Sequence, residues 1–230
     1  MTKLLAIDAS ADACSVALNI DGEIYELFEV APRLHARILL TMINDLLADH
    51  SVKISDLDMI AYARGPGSFT GLRIAAGIVQ GMAFAADLPV VPVSTLATLA
   101  QRASRRSDEL CLVALDARMD EVYWACYRMK QGFVSLEGEE KISRPENMNP
   151  QEFMGSEKNW LGVGEGWHLM DRFREDVRVG ATSIIQDLYP HAADVASLAL
   201  HYLACDPDVA LPPERALPVY LRDKTAWKTA

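Results

Sequence analysis

The sequence predicts an α/β protein made of two related lobes, and three observations predict it. Short apolar runs ending at aspartate or glycine alternate with longer stretches of helical periodicity. The run Leu5-Ala6-Ile7-Asp8-Ala9-Ser10, followed by Cys14–Leu18, is echoed by Val113-Ala114-Leu115-Asp116-Ala117-Arg118, followed by Val122–Tyr127. Aligning Asp8 with Asp116 also pairs Asp12 with Asp120 and Ala17 with Ala125. In both places a buried strand ends in Asp, turns and returns as a strand, near the start of each half, the mark of an internal repeat. The expected lobes are residues 1–104 and 105–230, with the last segment packing back on the first.

The elements follow in order. Leu4–Asp8 reads as a buried strand, Cys14–Ile20 as its return, and Asp21-Gly22 as a hairpin turn into Ile24–Val30. Pro32 opens a helix with Leu34, Ile38, Leu39, Met42, Ile43, Leu46 and Leu47 at apolar positions. Met59–Ala63 is a strand leading into a glycine-rich turn, and Gly71–Ala86 is a helix. Val90–Val93 is a short strand that Pro92 places at a sheet edge. Ser94 caps a helix that runs to about Ser104. In the second half, Phe133–Glu137 is a strand, Glu139–Pro150 a polar stretch, and Trp160–Val163 a strand entering the loop Gly162–Gly166, read as a tight turn. Ala192–Ala204 is a helix, and Pro218–Leu221 a short final strand.

Composition narrows the function. The chain carries 22 Lys and Arg against 32 Asp and Glu, a net charge of −10. Nucleic-acid affinity rests on cationic contacts to phosphate, so this chain is not expected to grip RNA or DNA alone. The short basic patch Arg102, Arg105 and Arg106 reads as a solvated helix end. The most apolar stretch, Leu72–Ala86, is interrupted by Arg73 and Gln80 and reads as too short for a membrane span. The N-terminal MTKLLAIDAS lacks the apolar core of a secretory signal, which points to the cytoplasm. Cys14, Cys111, Cys126 and Cys205 have wide, irregular spacings and read as buried or half-buried thiols. His35, His50, His168, His191 and His201 form no H-x-x-H, H-x-x-x-H or H-E-x-x-H, so no metal site is expected.

The turn Gly65-Pro66-Gly67-Ser68-Phe69-Thr70-Gly71 invites a phosphate-binding reading. It does not satisfy one. Gly65 and Gly71 are six apart and Leu72-Arg73 stands where a Walker loop has Lys and a hydroxyl. It is neither G-x-G-x-x-G after a first strand nor the G-x-S-x-G of a nucleophile elbow. Ser68 as a nucleophile would need a base, and no His has a place beside it in the sequence. The expected role is a sharp reversal, with Ser68 or Thr70 capping the next helix.

That helix is apolar nearly all round. Leu72, Ala75, Ala76, Val79 and Ala83 make one side; Ile74, Gly77, Ile78, Gly81 and Phe84 make much of another. One side can pack on its own sheet, and the other needs a cover. Burial wholly within its own domain is the competing reading. The expected interface comprises Leu34, Ile38 and Met42 of the preceding helix with Phe69, Arg73, Ile74, Gly77, Ile78, Gly81 and Phe84, the two glycines permitting close backbone approach.

The stretch Gly65–Ile74, with Asp8-Ala9-Ser10, Asp116-Ala117-Arg118 and Glu121-Val122-Tyr123, resembles the TsaB/YeaZ family over most of the first 130 or so residues and weakly to the end. The resemblance implies the actin/Hsp70/sugar-kinase-like (ASKHA) fold, two lobes each starting with an antiparallel β-meander. It implies a non-catalytic subunit of the machinery that transfers threonylcarbamoyl to N6 of adenosine 37 in tRNAs reading codons that start with A. The implied partners are the catalytic relative TsaD, the ATPase TsaE and a second copy of the chain, with tRNA met only through the complex and no membrane. In that superfamily the two hairpin turns clasp phosphates through Asp-x-Gly; here Ser10 and Arg118 replace the glycine, leaving Asp8, Ser10, Asp116 and Arg118 as a vestigial nucleotide cleft. No cofactor is expected to bind this chain tightly alone, with ATP or ADP left to the complex. The metal-binding H-x-x-x-H of TsaD falls on Thr95 and Leu99, and Leu cannot ligate. Two other readings remain open: an ATP-dependent small-molecule kinase of the same fold, and a hydrolase using Ser68.

Overall fold

The first strand, β1 (Lys3–Asp8), is buried along nearly its whole length, so it must be covered on both faces. It pairs antiparallel with β2 (Ala13–Ile20), which pairs antiparallel with β3 (Glu23–Val30). The chain then forms α1 (His35–Asp49), β4 (Met59–Gly65), α2 (Phe69–Ala86) and β5 (Val90–Ser94), with β4 parallel to both β1 and β5. The sheet order is β3-β2-β1-β4-β5. Pro92 thus lies on an edge strand, where its missing N–H is tolerated. After α3 (Thr95–Ala103), the same order recurs: β6 (Leu110–Arg118), β7 (Glu121–Lys130) and β8 (Phe133–Ser143) form a meander. Next come α4 (Gln151–Met154), β9 (Trp160–Val163), α5 (Glu175–Gly180) and β10 (Ala181–Ile185), with β9 parallel to both β6 and β10. Read from its meander edge, the second sheet is β8-β7-β6-β9-β10. The repeat expected from Asp8 and Asp116 is therefore a repeat of whole lobes. The helix α6 (Ala192–Cys205) follows, and two short 3-10 turns, Pro207–Val209 and Pro213–Arg215, come after it.

This computed structural model describes residues 2–104 and 109–222; Arg105 and Arg106 of the basic patch lie outside them. The chain divides into two compact units, one of residues 1–98 and 189–218, the other of residues 99–188 and 219–230.

In the first unit, Leu5, Ile7, Val16, Leu18, Ile60 and Tyr62 meet Leu39, Ile43 and Leu46 of α1 and Ala75, Val79 and Ala83 of α2. The intervening β1 residues are also buried, and α6 packs on β1, β2 and β4. The first N–H groups of α6 are satisfied from the sheet: Ala192 N donates to Ser15 Oγ at 2.7 Å and Ala193 N to Glu26 Oε1 at 3.0 Å. In the second unit, Trp124, Trp160, Trp167, Phe173 and Met148 dominate the core.

Four expectations need correction. Glu139–Ser143 belongs to β8, an edge strand whose charges face solvent, with Lys141 paired to Glu139 and Glu152. Pro218–Leu221 forms no strand; Leu211 instead bridges Val90. Cys205 is exposed, while the other three thiols are buried, which pushes Cys14 and Cys126 up to about 12 and Cys111 to about 11. The helix α2 has 18 residues, starting at Phe69, so it is long and apolar enough to cross a membrane; its inner face, however, packs on the sheet.

Candidate functional site

The glycine turn is built against the end of β1. A Cβ at Gly67 would overlap the Ser10 carbonyl oxygen, and one at Gly71 the Ala9 carbonyl oxygen. Only glycine lets the two backbones approach so closely. Ser68 N donates to Ser10 O at 2.7 Å, and Ser68 Oγ accepts from Gly71 N at 3.3 Å, capping α2. The turn therefore presses on carbonyl oxygens, which repel a phosphate. Its product is a helix start fixed rigidly to the sheet, with Ser68 serving as a cap.

From that start, α2 points Leu72, Ala75, Ala76, Val79 and Ala83 inward. No described residue covers most of the opposite side. Phe84 is 81% exposed and Phe69 51% exposed, with the Arg73 guanidinium 3.6 Å over the Phe69 ring. Ile74 and Ile78 are half-buried at the flanks of this face. A Cβ at Gly77 or Gly81 would meet nothing within 4 Å. These glycines open a groove of about 490 Å³, bounded by Gln80, Phe84, Pro213 and Glu214. Burial of α2 wholly within its own lobe is thus excluded. On α1, which touches α2, Ile38 is half-buried; Leu34, just before its start, is exposed. Met42 is a correction: at 7% exposure it faces the core with Leu39, Ile43 and Leu46, because 100° per residue turns it toward the sheet. Sequence reasoning missed Leu40, an exposed apolar residue on the outer side of α1.

The two aspartate turns, one in each lobe, share a hydrogen-bond pattern. Asp8 is 1% exposed; Ser10 N donates to its Oδ1 at 2.9 Å and Ser10 Oγ to both carboxylate oxygens at 3.0 and 3.1 Å. Burial pushes Asp8 up to about 6, against the pull of those hydrogen bonds and of His191 and His35. His191 Nδ1 lies 2.8 Å from Glu26 Oε2, its ring stacked on Phe28, and His35 Nε2 lies 2.7 Å from Ala11 O. In the second lobe Arg118 N donates to Asp116 Oδ1 at 2.7 Å and Arg118 Nη1 to Oδ2 at 3.0 Å. In both turns the N–H two residues after the aspartate is spent on that carboxylate, not aimed outward at an anion. The β6–β7 turn is held further by Arg222, which donates to Ala117 O at 3.1 Å and pairs with Glu121 at 2.7 Å. Nothing in the sequence around Arg222 marked it as this clamp.

The Gly162–Gly166 loop mirrors the first-lobe glycine turn. Gly164, at φ +98°, and Gly166 leave no room for a Cβ against Ala114 of β6. Thr95 and Leu99 are buried in α3. Among the described residues no three His, Cys, Asp or Glu side chains converge as metal ligands.

Comparison with known proteins gives these features a family. Residues 28–228 match the family described as TsaD, tRNA N6-adenosine threonylcarbamoyltransferase. The Escherichia coli K12 protein named tRNA threonylcarbamoyladenosine biosynthesis protein TsaB is 41% identical, the match covering 98% of this chain and 97% of the relative. The Haemophilus influenzae protein of the same name is 37% identical, covering 98% and 95%. The solved structure of YeaZ from Pseudomonas aeruginosa is 46% identical and superposes with a TM-score of 0.88 over 96% of this chain and all of that one. With the duplicated five-stranded sheets, the fold is the ASKHA fold. This chain belongs to the TsaB/YeaZ family.

Proposed function

We propose that this chain is the accessory, non-catalytic subunit in tRNA threonylcarbamoyladenosine biosynthesis, and that it works by docking TsaD through the outer face of α2. Alone it pairs with a second copy through the same face. TsaE joins the assembly, tRNA is met only through the complex, and ATP or ADP enters at the level of the complex. The assembly acts in the cytoplasm, transferring threonylcarbamoyl to N6 of adenosine 37. The observation that carries this reading is the uncovered apolar face of α2, with its groove at Gly77 and Gly81. Two further features support it. The Asp8 and Asp116 turns spend their N–H groups internally, which suits a chain without its own phosphate chemistry. The net charge of −10 suits a scaffold better than a tRNA grip. The small-molecule kinase reading is not favoured.

Reconstitution tests the non-catalytic role. Threonylcarbamoyl-adenylate, tRNA and ATP are incubated with this chain alone, with TsaD and TsaE alone, and with all three. Modified tRNA is expected in quantity only from the full set, and Asp116→Asn is expected to leave its rate within about twofold. Product from this chain alone, or loss of product with Asp116→Asn, would overturn the reading.

A further inference from the structure

We propose that the second lobe carries a binding site for a small, neutral molecule with an amide or lactam edge, where α4, the start of β9 and α5 meet. A pocket of about 360 Å³ lies there, lined among others by Gln151, Gly155, Lys158, Trp160, Asp176 and Val179. That is the size range of small-ligand sites.

The chemistry comes from two unmet polar atoms. Trp160 is 2% exposed, yet among the described residues its Nε1–H has no acceptor. Gln151 lines the same pocket, and its buried Oε1 has no donor among the described residues. The other two buried indoles show what is missing: Trp124 Nε1 donates to Ser143 Oγ at 2.9 Å, and Trp167 Nε1 to Leu112 O at 3.1 Å. Folded proteins rarely leave such groups unpaired, so each of these two calls for a partner. Gly180 fixes the orientation of the ring, since a Cβ there would overlap the Trp160 indole.

One unmet donor and one unmet acceptor, on two residues of the same pocket, select a ligand that carries the complement of both. A ligand carbonyl accepts a hydrogen bond from Trp160 Nε1–H, and the amide N–H beside that carbonyl donates to Gln151 Oε1. A carboxylate would satisfy the indole and repel the Gln151 oxygen; an ammonium group would do the reverse. The exposed side chain of Val179 supplies an apolar wall for the body of such a ligand. The negative rim groups are already occupied: Asp176 pairs with Arg174 at 2.7 Å and Glu157 with Arg128 at 3.7 Å. Both unmet atoms are closed off from solvent, so the ligand reaches them by displacing the outer wall, residues 155–158, which is exposed throughout. The site is independent of the α2 face, and its failure would leave the proposed function standing.

The test is a titration of the full-length chain with nicotinamide and with uracil, followed through the indole N–H signals in a ¹H–¹⁵N spectrum. Benzene serves as a control without either polar group, and Trp160→Phe assigns the signal. The expected result is a saturable shift of the Trp160 signal at about millimolar probe, as befits fragments of this size, with Trp124 and Trp167 unmoved. Gln151→Leu should weaken binding about tenfold by removing one hydrogen bond. Absence of a saturable shift would overturn the proposal, and a cross-peak from the Trp160 N–H to a long-lived water would then show that a bound water only fills the site. An equal response to benzene would also overturn it. The titration of the natural chain decides even if a variant fails to fold.

Discussion

Replacing Asp8 with asparagine should make the protein more stable at neutral pH and remove a pH dependence that the natural chain carries. Burial lifts Asp8 from an ordinary 3.8 to about 6, so the folded state holds this proton more tightly than the unfolded chain does. The contribution is therefore most favourable below pH 4, falls as pH rises toward 6, and levels off above it. A shift of this size corresponds to a loss of about 3 kcal/mol at pH 7.5, and of about 1.5 kcal/mol at pH 5, where the folded carboxyl is still mostly protonated. Asparagine cannot ionise, and its side-chain oxygen can still accept from Ser10 N, the bond Asp8 makes at 2.9 Å. Urea unfolding of both chains, at one protein concentration and at both pH values, measures the difference. The Asp8→Asn chain should be more stable by up to about 3 kcal/mol at pH 7.5, and by about half of that at pH 5. A variant destabilised equally at both pH values would refute the reasoning, because it would mean that Asp8 is ionised and well paired in the fold.

Gly71→Ala places a Cβ on the Ala9 carbonyl oxygen, and should lower stability by at least about 2 kcal/mol as measured by thermal unfolding. Ser68→Ala removes the α2 cap and should cost about 1 kcal/mol in the same assay, while a serine-directed probe labels neither chain at position 68. Phe84→Glu alters a side chain that is 81% exposed, so the unfolding free energy of the monomer, measured at dilution where the dimer has dissociated, should move by less than about 0.5 kcal/mol while self-association weakens. A large loss of stability in that variant would place Phe84 in the core.

Local patterns with a mechanism were legible in the sequence. The Asp8 and Asp116 repeat announced two lobes because a strand–turn–strand unit keeps its period and its turn residue even after long divergence. The all-round apolarity of α2 announced an uncovered face because a helix on one sheet buries only one side. What stayed hidden was non-local or lacked a period. Ala181-Thr182-Ser183-Ile184-Ile185 is half-exposed at a sheet edge, with no alternation to mark it as β10. Glu139-Glu140-Lys141 looks like a loop because edge strands carry charge for protection. The side of α1 that holds Met42 could not be chosen while apolar residues lined more than one face, and Leu40 went unnoticed for the same reason. The affiliation of α6 with the first lobe depends on Ser15 and Glu26, residues more than 160 positions away.

The central claim is that the outer face of α2 is a docking surface, and light scattering across size-exclusion fractions tests it most directly. The chain should run as a dimer alone and as a one-to-one heterodimer when mixed with TsaD. Gly81→Arg, whose side chain enters open space in the single chain, should weaken both assemblies while the unfolding midpoint measured on diluted monomer holds. A natural chain that stays monomeric and indifferent to TsaD would contradict the account.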